Sequence, residues 1–169
     1  MFARIDFAKL DLMDALDLAI LVEIEAMERY QLFTKQLGYS HAGDAYTFFK
    51  TMAVNEAKHG EELAQRRKEL FGDVPMRVRK EDLYDVEAPD VGKLTWDTST
   101  LQACKIGLDS ENKAYSFYDQ ALPHVKEGPV RELFIELRDE EVEHIRLVKD
   151  VMDKLPPGAD QPLVDADAD

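Results

Sequence analysis

The stretch Asn-Glu-Ala-Lys-His at residues 55–59 is matched by Glu-Glu-Val-Glu-His at residues 140–144. Each stretch ends in a glutamate followed three residues later by a histidine, and each lies in a long segment with a 3.6-residue period of apolar side chains. On an α-helix this spacing puts the two side chains on one face, about 60° apart, so both can reach one metal ion. The repeat therefore predicts two equivalent helices, each carrying half of a metal site.

Two other amphipathic segments each place a single glutamate inside an apolar stripe. Glu23 lies between Ile20 and Ala26, and Glu111 lies between Leu108 and Tyr115. An ionised carboxylate in such a core costs several kcal/mol unless something compensates it, and four of them also repel one another. Two divalent cations would balance the four charges. The predicted metal ligands are Glu23, Glu56, His59, Glu111, Glu141 and His144.

This ligand set indicates two iron ions per chain, with manganese or zinc as possible occupants. Four carboxylates that use both oxygens and two histidines supply about ten donor atoms, or about five for each metal. Zinc prefers four ligands, so the number of donors favours iron.

The pattern of apolar residues predicts an all-α protein, a four-helix bundle made of two helical hairpins joined by a long crossover connection. Residues 73–97 contain Pro75, Pro89 and Gly92 and show no sustained period, which is typical of a connection. Thr98 or Ser99 is expected to cap the third helix. The chain, residues 1–169, is expected to be one domain, with the bundle over about 11–155 and an acidic tail over about 156–169 whose composition is typical of disorder. The four predicted helices cover about residues 11–37, 44–71, 99–122 and 129–155.

Tyr30 and Tyr118 follow the single glutamates by seven residues, about 10.5 Å along a helix axis. That is too far to bond to the glutamate on the same helix. We expect each hydroxyl to reach a carboxylate on another helix and support the site, with simple core packing as the alternative.

Charge and composition exclude several classes of partner. The chain has 21 Lys and Arg against 35 Asp and Glu, a formal charge of −14, so neither nucleic acid nor an anionic membrane is an expected partner. The longest apolar run is far short of the ~20 residues that span a bilayer, and the first residues do not resemble a signal peptide, so a cytoplasmic protein is expected. Cys104 is the only cysteine, which excludes an internal disulfide and a four-cysteine metal centre.

The segments 23–30, 55–59, 111–118 and 140–144 resemble rubrerythrin-type members of the ferritin-like superfamily. The resemblance covers all four predicted helices and implies a ferritin-like four-helix bundle. It also implies that Glu56 and Glu141 bridge the two metals, that Glu23 and Glu111 are terminal ligands, and that each histidine binds one iron. By the same resemblance, the di-iron(II) form reacts with hydrogen peroxide or oxygen and the protein is a homodimer, in which the long connection would permit exchange of hairpins.

Two features depart from the rubrerythrin pattern. Many rubrerythrins have a further glutamate three residues after the third-helix ligand, where this chain has Ala114. Full-length rubrerythrins also carry a rubredoxin-like domain with four cysteines, whereas this chain has one cysteine. Peroxidase turnover would therefore need an external electron-donor protein.

Three functions are compatible with these residues. The first is a non-haem di-iron oxidoreductase, a rubrerythrin-like peroxidase. The second is an iron-oxidising protein for iron storage or delivery, which would accumulate more than two irons per chain. The third is a structural metal-binding module without redox activity.

Overall fold

Four α-helices make up most of the chain that the computed structural model describes, which comprises residues 5–37, 44–83 and 86–162. Helix α1 packs along α2 and α3 packs along α4, while contacts of α2 with α3 and of α1 with α4 join the two pairs. The predicted all-α bundle of two hairpins is confirmed. None of the helices in this part of the chain is both long and apolar enough to cross a membrane. The helices are α1 (Leu12–Leu37), α2 (Asp44–Phe71), α3 (Thr100–Ala121) and α4 (Pro129–Asp153).

The helix ends follow local capping chemistry. Ser99 caps α3: its hydroxyl accepts a 3.2 Å hydrogen bond from the backbone N–H of Gln102, whose side-chain oxygen accepts a 3.0 Å bond from the Ser99 N–H. Pro129 occupies the first turn of α4, where its missing N–H costs nothing. Gly72 adopts a positive φ of 68° directly after α2, a conformation that favours glycine and stops the helix.

The apolar core consists of two clusters with the inward-facing glutamates between them. On α1 the first cluster includes Leu16 and Ile20, the second includes Ala26 and Phe33, and Glu23 lies between these pairs. On each of the other three helices one glutamate likewise lies between apolar residues of the two clusters, in the same order along α4 and in the reverse order along α2 and α3. The members of the first cluster include Leu63, Phe117, Leu133, Phe134 and Leu137, and those of the second include Phe49, Met52, Cys104, Ile106 and Val148. The fold therefore surrounds one buried polar layer with apolar packing on both sides.

The crossover connection between α2 and α3 is ordered by contacts with the bundle. Its described residues include two short 3-10 helices, Lys80–Asp82 and Val91–Lys93. Between them Leu83 and Val86 join the first apolar cluster. The segment over residues 86–89 is buried along its whole length, so the connection forms part of the core.

The beginning of the acidic tail differs from the sequence prediction of disorder. The backbone N–H of Leu101, in the first turn of α3, donates a 2.9 Å hydrogen bond to the carbonyl of Ala159. This bond satisfies one of the N–H groups that a helix start leaves without an intrahelical partner. Residues 163–169, the rest of the predicted tail, lie outside the described residues.

Candidate metal centre

The six predicted ligands converge in the polar layer at the middle of the bundle. The four glutamates are almost fully buried, with exposed fractions from 0 to 3%. The two histidines are half-buried, which places them at the rim of the same cluster. Their convergence follows from the sequence repeat, because each helix contributes its glutamate at the same height. The six residues are Glu23, Glu56, His59, Glu111, Glu141 and His144.

The histidine of α4 defines one half of the cluster. His144 Nδ1 lies 3.2 Å from Glu111 Oε2 and 3.4 Å from Glu141 Oε2. Ligand atoms of these three residues are all within 4.8 Å of one another. This spacing allows one cation to contact all three side chains, since metal–ligand bonds of about 2 Å put neighbouring donors roughly 3–4 Å apart.

The histidine of α2 defines the other half. His59 Nδ1 lies 3.9 Å from Glu23 Oε2 and 4.0 Å from Glu56 Oε2, again with one ligand atom from each residue within 4.8 Å of the others. The two imidazole rings stack, with centroids 4.6 Å apart and planes inclined by 2°. The cluster is therefore two similar half-sites, as the repeat of glutamate and histidine predicts.

A small cavity lies beside the two histidines. Its volume is about 40 Å³, and it is lined by ligands from both halves together with the apolar side chains of Met52, Leu147 and Val148. Asn55 completes the lining on the side of α2. The cavity is large enough for one or two water molecules or a small oxidant. It gives the half-sites a common face from which a small molecule can approach.

The charge and hydrogen bonding of the cluster fit a pair of cations. Among the buried polar atoms without a hydrogen-bond partner are one oxygen from each of the four glutamates and Nδ1 of His59. Buried polar atoms in proteins are nearly always paired with a donor, an acceptor or a metal. Oxygen and imidazole donors of this kind suit iron, manganese or zinc. The residues present can therefore hold the metals that the sequence implies.

Burial also perturbs the acidity of the glutamates. The pKa of Glu141 rises to about 8 and that of Glu56 to about 7, in both cases first because burial penalises the charged form and then because the charge of Glu111 is close. Burial raises the pKa of Glu23 well above its usual value, and the charge of Glu56 adds to this effect. Without cations, the cluster favours bound protons.

The pKa values of the two histidines shift in opposite directions. Burial disfavours the charged form of His144, but hydrogen bonds to Glu111 and Glu141 outweigh it and raise its pKa to about 11. His59 is farther from its carboxylates, and burial followed by the charge of His144 lowers its pKa. A cation bound to His144 would have to displace a proton, so metal binding should release protons.

Metal-free protein should become more stable as the pH falls from 8 to about 6. In the folded state Glu141 and Glu56 take up protons near pH 8 and 7, whereas in the unfolded chain glutamates do so only near pH 4.3. His144 holds its proton in the folded state over the same interval. The folded state thus binds more protons, and the gain should be on the order of 4–5 kcal/mol after the opposing contribution of His59.

Thermal unfolding of chelator-treated protein at pH 8, 7 and 6 measures this effect. The metal-loaded protein is the control and should show the opposite trend, since protons compete with metal for the same atoms. Metal-free protein that loses stability over this interval would mean that the glutamates are solvated.

Tyr30 and Tyr118 are both fully buried, but neither hydroxyl has a hydrogen-bond partner among the described residues. Burial and then the charges of Glu111 and Glu56 raise the pKa of Tyr30 well above its usual value. Burial and then the charges of Glu23 and Glu141 raise the pKa of Tyr118 well above its usual value. Each phenol is therefore protonated and electrostatically coupled to carboxylates of other helices. The hydrogen bond to a metal ligand stays a prediction.

Glu87 is a further acidic residue in the cluster, and the helical pattern of the sequence does not predict it. It lies in the crossover connection, is 1% exposed, and has ligand atoms within 4.8 Å of those of four other glutamates in two groups. The connection has no helical period that could single out one acid. The sequence offers one local signal, since Glu87 is flanked by Val86 and Ala88, which favour burial, but Asp85 has similar flanks in Tyr84 and Val86.

A sequence model of the rubrerythrin family matches residues 14–160, from the first turn of α1 to beyond the end of α4. The crystal structure of an uncharacterised conserved protein from Magnetospirillum magnetotacticum MS-1 is similar, with a TM-score of 0.66 and 24% sequence identity. The alignment covers 87% of this chain and 97% of that one. At this identity the structural similarity supports the fold alone. No curated protein sequence matches the chain.

Proposed function

The chain belongs to the rubrerythrin family, and we propose that it is a non-haem di-iron oxidoreductase that reacts with hydrogen peroxide or oxygen. The main support for this proposal is the pair of half-sites, each with two buried glutamates and one histidine. Four carboxylates balance two divalent ions, and each histidine supplies a nitrogen ligand to one of them.

A pair of Fe(II) ions supplies two electrons, the number required to reduce one hydrogen peroxide to water. The protein holds the pair in place on four helices, whose apolar packing on both sides of the glutamate layer keeps the ligands in fixed positions. The cavity beside His59 and His144 gives a small oxidant space at the same face of both half-sites. Its small volume, about 40 Å³, excludes larger molecules.

Catalytic turnover on this chain would require an external electron-donor protein. The sequence contains one cysteine, and Cys104 is buried in the second apolar cluster, so these residues provide no four-cysteine iron site. Burial raises the pKa of Cys104 to about 11, which keeps the thiol protonated and unreactive. We therefore propose that electrons reach the centre from a separate redox partner.

Anaerobic loading with two Fe(II) ions per chain, followed by mixing with hydrogen peroxide or with oxygen, tests this function. We expect one equivalent of peroxide to oxidise both irons rapidly and oxygen to react more slowly. Oxidation should stop after one event until a reductant is added. Protein loaded with Zn(II), which has no redox chemistry, is the matched control for damage by peroxide.

Other outcomes would identify the alternative functions. Continued oxidation of added Fe(II), with many irons retained per chain, would indicate iron storage or delivery. Failure of the loaded protein to react with either oxidant would exclude both redox functions and indicate a structural metal site.

A further inference from the structure

Glu87 approaches the centre from the crossover connection, not from one of the four ligand-bearing helices. Its carboxylate has one ligand atom within 4.8 Å of those of Glu23 and Glu141, and likewise reaches the group formed with Glu56 and Glu111. These two groups cut across the two half-sites, since each contains one glutamate from either half. Glu87 therefore lies between the two half-sites.

The carboxylate of Glu87 has no other role in the described structure. Neither of its oxygens has a hydrogen-bond partner, although the side chain is only 1% exposed. A buried unpaired carboxyl group costs on the order of several kcal/mol, so its presence needs a compensating ligand. Like the four helical glutamates, Glu87 therefore needs a nearby cation to balance its buried charge.

The backbone around Glu87 is fixed by side chains from two helices. The Ser110 hydroxyl donates a hydrogen bond to the Glu87 carbonyl. Lys113 Nζ donates to the Ala88 carbonyl at 2.7 Å, and the Arg29 guanidinium donates to the Pro89 carbonyl at 2.7 Å. Three consecutive carbonyls are thus held by α1 and α3. These hydrogen bonds hold the backbone that carries the glutamate in place.

We propose that Glu87 is a seventh protein ligand, shared by the two metal positions, and that its charge favours the trivalent metal pair over the divalent pair. The proposal rests on the two-metal centre proposed above. With four carboxylates, a divalent pair is neutral and a trivalent pair carries an excess of two positive charges. A fifth carboxylate leaves the divalent pair at −1 and the trivalent pair at +1, so it stabilises the oxidised form selectively.

The experiment uses the full chain with two substitutions at this position. Glu87→Gln removes the charge and keeps the size and one oxygen, whereas Glu87→Ala removes the ligand. Glu81→Ala is the matched control, because Glu81 is exposed and lies in the same connection. Each protein is titrated with Co(II), whose visible absorption reports the coordination number, and the iron-loaded forms are reduced at known potentials.

We expect the wild type and Glu87→Gln to bind two Co(II) ions each. The equilibrium constant for reducing the iron pair should rise at least about tenfold in Glu87→Gln, since a unit charge at about 4 Å acts strongly in a buried site. Glu87→Ala should show stronger Co(II) absorption, as expected for a lower coordination number. Glu81→Ala should match the wild type in both measurements.

Two results would overturn the inference in distinguishable ways. If the wild type binds two ions but both Glu87 variants keep its Co(II) spectrum and reduction equilibrium, Glu87 is not a ligand and the two-metal centre remains. If the wild type does not bind two ions, the proposed centre fails and the role of Glu87 fails with it. If one variant does not fold, as judged by circular dichroism, the other variant still shows whether Glu87 is a metal ligand.

Discussion

Replacing Glu56 by alanine should remove both metal ions, whereas replacing His59 by alanine should remove mainly one. Glu56 contributes ligand atoms to the group with Glu23 and His59 and also to the group with Glu87 and Glu111, so it contacts both halves of the cluster. His59 belongs to one group alone. We expect Glu56→Ala to weaken binding of both ions by at least ~100-fold, more than loss of a supporting residue usually does.

Elemental analysis after desalting measures the metal retained by each variant. Glu62→Ala is the matched control, because Glu62 lies on the same helix but is exposed and pairs only with Lys58 at 3.6 Å among the ion pairs described. Its metal content should equal that of the wild type. Loss of a single ion from both Glu56→Ala and His59→Ala would contradict the shared position of Glu56.

Replacing Arg67 by leucine should destabilise the fold by about 3–5 kcal/mol, because it leaves a buried carboxylate without its cation. Asp17 is fully buried on α1 and accepts hydrogen bonds from the guanidinium of Arg67 on α2. The Arg77 backbone N–H, in the connection, donates to the same carboxylate at 3.2 Å. The ion pair therefore ties the first hairpin to the beginning of the crossover, and a single backbone donor cannot replace it.

Thermal unfolding should show a midpoint lower by roughly 10 °C for Arg67→Leu. The neighbouring Arg66→Leu is the matched control: Arg66 pairs with Glu136 at 2.9 Å, but both side chains are exposed, so its loss should cost less than about 1 kcal/mol. The double replacement of Asp17 and Arg67 by leucine should recover most of the lost stability. Equal effects of the two arginine substitutions would show that the buried pair contributes no more than a surface pair.

The bundle and the position of its six inward-facing polar residues were predictable because they depend on local spacing. Helical periodicity fixes which side chains share a face, and the repeat of glutamate and histidine in both halves predicts their convergence. Ser99 and Pro129 predicted the starts of α3 and α4 to within one residue of those in the structure. These features require no knowledge of how distant segments pack.

The contribution of the crossover could not be predicted in the same way. Which of its acids enters the centre depends on bonds to Arg29, Ser110 and Lys113, which are distant in sequence. The contact of Ala159 with α3 likewise depends on packing between remote segments. Irregular backbone has no regular hydrophobic period in its sequence. Which of its residues become buried is therefore determined by tertiary hydrogen bonds. The homodimer and the cytoplasmic location stay predictions.

The number of metal ions per chain decides whether the buried cluster is a two-metal centre. Metal-free protein would be loaded anaerobically with excess Fe(II), desalted, and analysed for iron and protein, with circular dichroism to confirm its helical content. We expect two irons per chain, because two half-sites share one layer of buried carboxylates. One iron or none per fully helical chain would contradict the two-metal centre.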